Sequence, residues 1–92
     1  MIITTEIQNK LKSLFGQFVE MAKLSKKSKG YYEMSIVGEN VTYKLYDKLQ
    51  NDNSKDVVFE KSFDLSPFAD FESAKKIVSP ILEKQIREFC KS

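Results

Sequence analysis

The sequence predicts one α+β domain in which elements follow the order α-β-β-β-α, spanning residues 1–92. Three observations predict it. Apolar residues recur at spacings of three and four near both ends of the chain, the period of a helix with one buried face. Between them, three short segments alternate apolar and polar residues, the period of a half-buried strand. Turn-forming residues separate these segments, and no Pro/Gly-rich linker, internal repeat or low-complexity tract divides the chain.

The first helix is expected from about Thr5 to Leu24. Ile3, Ile7, Leu11, Leu14, Phe15, Phe18 and Ala22 form its stripe, and Thr5 with Gln8 three residues on makes a capping box. Gly16 in its interior costs up to about 1 kcal/mol against Ala, which points to close packing there. The stripe ends in Ser25-Lys26-Lys27-Ser28-Lys29-Gly30, a basic connector in which Gly30 serves as the stop.

Strand one follows from Tyr31 to Val37, with Tyr32, Met34 and Ile36 on one face and Tyr31, Glu33, Ser35 and Val37 on the other. Gly38-Glu39-Asn40 reads as a tight hairpin turn. Strand two, Val41 to about Leu49, turns Val41, Tyr43, Leu45 and Leu49 inward and Thr42, Lys44, Tyr46 and Lys48 outward. Residues 50–56 form a polar loop. Strand three, Asp56 to Asp64, places Val57, Phe59 and Phe63 inward. The last helix starts at Ser66-Pro67 or at Asp70, all residue types suited to a helix start. Its stripe is Phe71, Ala74, Ile77, Val78, Ile81, Leu82, Ile86 and Phe89, and Pro80 is expected to kink or break it. Both helices then cover one face of a three-stranded antiparallel meander in a two-layer arrangement, leaving the other face open.

Composition narrows the function. The 92 residues contain no His and a single Cys. The commonest general base is therefore missing, as are a Cys-x-x-Cys redox pair, an intrachain disulfide and a Cys/His zinc site. Cys90 falls near a helix C-terminus, where the dipole disfavours the thiolate. Gly16, Gly30 and Gly38 are isolated, so no phosphate-cradling loop forms. The carboxylate pairs Asp52 with Asp56 and Asp70 with Glu72 read as loop and helix-start charges. The expectation is a non-enzymatic protein without cofactor or metal.

The charge balance is 15 Lys plus Arg against 13 Asp plus Glu, and Arg87 is the single arginine. This small excess, almost all lysine, argues against sequence-specific reading of DNA. It also fits an AT-rich genome, such as that of a low-GC bacterium or a virus. No apolar run approaches the length of a membrane span, and residues 1–6 lack the features of a secretory signal. With one unpaired thiol, a cytoplasmic location is expected.

Two surfaces could bind. Tyr31, Val37, Tyr46 and Val58 on the open sheet face combine aromatic and β-branched residues with polar neighbours, a composition common at protein interfaces. Lys23, Lys26, Lys27 and Lys29 form the densest basic cluster, and with Lys44 and Lys48 beside Tyr31 and Tyr46 they suggest a phosphate-tracking surface with stacking rings. The principal expectation is a regulatory protein, an inhibitor or adaptor, that binds a protein partner or a second copy of itself. The alternative is an RNA or single-strand binder.

The element order is similar to that of the double-stranded-RNA-binding domain, and Ala74-Lys75-Lys76 is the part that matches it. That family carries lysines at the very start of the last helix, after a glycine-containing stretch. Here Asp70 and Glu72 stand at that start and the glycines are missing, so the likeness is one of topology and a tripeptide.

Overall fold

The computed structural model describes residues 1–28, 30–49 and 55–91. It has five elements: α1 (Thr5–Leu24), β1 (Tyr31–Val37), β2 (Asn40–Leu49), β3 (Lys55–Asp64) and α2 (Phe71–Lys91). The strands form one antiparallel sheet in the order β1-β2-β3, and both helices lie on the same face of it. The α-β-β-β-α order and the two-layer α+β architecture are those the periodicity predicts.

The helix α1 is capped one residue earlier than expected. Thr4, not Thr5, accepts the Ile7 N–H on its hydroxyl at 3.3 Å. The other end closes in a Schellman arrangement, the Lys27 N–H bonding to the Ala22 carbonyl and the Lys26 N–H to that of Lys23, each at 3.0 Å. Lys26 takes the left-handed position with φ 63°. The expected stop, Gly30, lies four residues beyond and leads into β1 instead. Ser28 then anchors the connector: its buried hydroxyl donates to the Tyr46 carbonyl at 2.8 Å and accepts the Gly30 N–H at 3.0 Å.

The β1–β2 hairpin closes on Val37↔Asn40, so its loop is Gly38-Glu39 and Asn40 already belongs to β2. Gly38 adopts φ 62° at the first loop position, a conformation that a two-residue hairpin needs and glycine adopts at no steric cost. Between β2 and β3 the register runs Val41↔Phe63, Tyr43↔Lys61 and Leu45↔Phe59, then slips so that Tyr46 faces Val57. This β-bulge overturns one expectation, because Val57 does not continue the inward row of Phe59 and Phe63 and stands 48% exposed. Of the predicted polar loop, residues 50–54 lie outside the described residues, and residues 55–56 belong to β3.

Asp70 starts α2, its carboxylate accepting the Ser73 N–H at 2.8 Å. The helix then runs unbroken to Lys91 with Pro80 inside it. Proline removes a backbone bond and its ring crowds the carbonyl four residues earlier, that of Lys76. Both residues are exposed, so the released carbonyl is on the solvent side. Its buried line is Ala74, Val78, Leu82 and Ile86, whereas Ile77 and Ile81, expected in the stripe, stand 51% and 37% exposed.

The core sits between the layers. Phe15 of α1 stacks on Tyr43 of β2 with centroids 4.6 Å apart and meets Tyr32 edge-on at 5.7 Å. Tyr43 is fully buried, and its hydroxyl donates to the Leu11 carbonyl at 3.0 Å, tying β2 to α1. Gly16 faces the Tyr32 hydroxyl, which would lie 3.3 Å from a Cβ at that position, the close packing the sequence suggests. Both helices run from the hairpin end of the sheet toward its far end: α2 follows Asp64, opposite Asn40, and brings Phe89 to Phe59. Among the described residues, no helix is long and apolar enough to cross a membrane.

Candidate interaction surface

The uncovered sheet face is polar along its middle. The Thr42 and Ser62 hydroxyls are hydrogen-bonded at 2.8 Å, and the Lys44 ammonium lies 3.8 Å from the Glu60 carboxylate. On the other side of β2, the Tyr46 hydroxyl donates to Glu33 of β1. These cross-strand pairs knit the three strands together. Among the described residues, the apolar side chains of this face are therefore confined to its two ends.

At the hairpin end Val37 stands alone, 77% exposed. At the other end, six residues along β1 and roughly 20 Å away, Tyr31 lies directly across from Tyr46, which in turn faces Val57. Tyr31, Val57 and Val58 are 43%, 48% and 37% exposed, but Tyr46 is only 5% exposed. The hydrogen bond to Glu33, then burial, then the charges of Glu33 and Glu60 push the Tyr46 hydroxyl up to about 12. Of the four predicted contact residues, the structure thus gathers Tyr31 and Val58 around a covered Tyr46 and leaves Val37 apart. At 5% exposure Tyr46 offers a partner little surface, and the exposed residues at this end are Tyr31, Val57 and Val58. Val57 completes the patch; strict alternation hides it, since only the bulge turns it to this side.

The six predicted basic residues divide as well. Lys23 sits on the last turn of α1, in the helix layer, 3.5 Å from Glu20. Its charge there complements the carbonyl end of the helix. Lys44 is on the opposite face of the sheet and paired with Glu60, so these two do not share a surface. Lys26 and Lys27 lie in the turn that Ser28 ties to the Tyr46 end of β2, and Lys26 is exposed. Lys29 and the side chain of Lys48 lie outside the described residues.

Of the carboxylates considered for acid–base work, Asp70 accepts the Ser73 N–H at 2.8 Å and Glu72 stands exposed in the first turn of α2. Asp64 likewise accepts the Ser66 N–H at 2.9 Å, and these bonds hold Asp64 and Asp70 below the usual carboxylate range. Asp52 and the side chain of Asp56 lie outside the described residues.

No protein-family model matches the chain, and no curated protein or solved structure is detectably similar to it. Its class is set by its architecture, a two-layer α-β-β-β-α sandwich with one sheet face uncovered.

Proposed function

We propose that this is a non-catalytic interaction protein, an inhibitor or adaptor, that works by protein–protein contact through the far end of its uncovered sheet face. The observation behind this reading is the cluster of Tyr31, Val57 and Val58 exposed around the covered, hydrogen-bonded Tyr46. An aromatic ring and β-branched side chains held on a rigid base bind with little loss of conformational freedom. Lys26 and Lys27 border this end and would steer an acidic partner. The absence of His and the local use of Asp64 and Asp70 support a non-catalytic role.

Affinity purification from the native cell, with and without nuclease, tests the reading. The expected result is a protein partner retained after nuclease treatment and lost with Tyr31→Ala/Val58→Asp, while the circular dichroism spectrum is unchanged. A partner held equally by the double variant, or released by nuclease, overturns it. Release by nuclease would point to the RNA reading through Lys26, Lys27 and Tyr31.

A further inference from the structure

The two edges of the sheet are built differently. Edge strands usually carry a charge, a proline or a bulge that keeps another strand from adding to them. The strand β3 has all but the proline. It is bulged opposite Tyr46 and places Lys61 on the helix-facing side, where its ammonium lies over the Phe63 ring at 5.8 Å, while its Glu60 is drawn toward Lys44 of β2. The strand β1, Tyr-Tyr-Glu-Met-Ser-Ile-Val, is regular over seven residues and has no proline, lysine or bulge. Its one charge, Glu33, accepts the Tyr46 hydroxyl from β2 and so is drawn away from the free edge.

The free edge of β1 is also complementary to itself. In an antiparallel ladder, successive residues aim their N–H and C=O groups alternately at one neighbour and the other. The two-residue loop makes Val37↔Asn40 a hydrogen-bonded pair, so Tyr31, Glu33, Ser35 and Val37 bond to β2. The N–H and C=O groups of Tyr32, Met34 and Ile36 therefore point along the edge. Their side chains lie on the helix-facing side, where Met34 and Ile36 are half-buried against the core.

We propose that two copies of the chain pair through β1 in antiparallel register, with Met34 opposite Met34 of the partner subunit, to form one six-stranded sheet. This register uses all seven residues: Tyr31 faces Val37, Tyr32 faces Ile36 and Glu33 faces Ser35. It sets no like charges across from each other. Centring on Glu33 instead would oppose two carboxylates, and centring on Ser35 would run two pairs into the Gly38-Glu39 turn. On the helix-facing side Tyr32, Met34 and Ile36 of both copies complete each other's burial, with the aromatic and methionine content that interface cores favour. Because β3 is guarded, the pairing closes as a two-fold dimer and does not propagate into a fibre.

Analytical ultracentrifugation of the full chain, with Ser35→Glu and Ser35→Lys variants, tests the proposal. Wild type is expected to dimerise reversibly. Ser35→Glu opposes a carboxylate to Glu33 of the partner subunit at two places and weakens the dimer roughly tenfold. Ser35→Lys, pairing with the same carboxylates, holds it or tightens it. Hydrogen exchange on wild type provides a measure that needs no variant: amides of Tyr32, Met34 and Ile36 are protected at high concentration and lose protection on dilution. A monomer at all concentrations, fast exchange of those three amides in the associated state, equal constants for the two Ser35 variants, or growth into larger assemblies would each overturn it. Tyr31 belongs to both the edge and the patch, but Val58 lies on β3, so Val58→Asp alone probes the patch, the Ser35 variants probe the edge, and either reading can fail without the other.

Discussion

Single residues carry more of this fold than their types suggest. Lys26 is the plainest case, since it occupies the left-handed position of the α1 terminus, with φ 63°, where glycine is the usual occupant. A side chain there crowds the backbone, so Lys26→Gly is expected to stabilise the protein by about 0.5–1 kcal/mol after the added freedom of the unfolded chain is counted. Urea denaturation of the two proteins measures it, and an unchanged or lower midpoint contradicts the assignment. Two tyrosines set the alkaline limit. Burial pushes the Tyr43 hydroxyl up, and the bond to Glu33 pushes that of Tyr46 up to about 12. In the unfolded chain both titrate near about 10. The folded protein thus keeps protons that the unfolded chain loses, and stability, full below about pH 10, falls as pH rises from there toward 12. Denaturation midpoints taken from pH 8 to 11 should stay level and then drop, with a shallower drop for Tyr46→Phe; a level profile throughout rules out this account.

Among the elements, α2 is the one whose continuity the sequence left open. Pro80 predicts a kink or break, and one helix runs unbroken from Phe71 to Lys91. The line Ala74, Val78, Leu82 and Ile86 lies on both sides of the proline and is buried throughout, so tertiary packing holds the helix across a lost backbone bond. Pro80→Ala restores that bond at an exposed position and is expected to stabilise the protein by about 1–3 kcal/mol, read from thermal or urea unfolding. A loss of stability would mean that the proline ring itself supports the helix. The spans of α1 and β1 were legible because each depends on a local signal, a stripe or an alternation, and the hairpin was legible from Gly38 to within one residue, since Asn40 already begins β2. The slip between Leu45↔Phe59 and Tyr46↔Val57 was not, since a bulge is a property of two strands together.

For the molecule as a whole, one layer of helices and one sheet leave a face and two edges without cover, and both proposals concern what meets them. The face is less apolar than its residues promise, because Thr42, Ser62, Lys44, Glu60, Glu33 and Tyr46 satisfy one another across strands. The apolar positions are pushed to its ends, and the β1 edge becomes the surface with the fewest obstacles to a partner strand. The sequence by itself determined the order of the elements, the two layers and the helix-facing rows of Tyr32, Met34, Ile36, Val41, Tyr43, Leu45, Phe59 and Phe63. Periodicity is local and survives any arrangement in space. Only the tertiary structure decided that Tyr46 is covered, that Val37 stands apart from Tyr31, that Val57 joins Val58, and that Lys23 and Lys44 lie on opposite layers. Those facts depend on strand register and on which side the helices pack, and both are set by contacts between residues far apart in the chain.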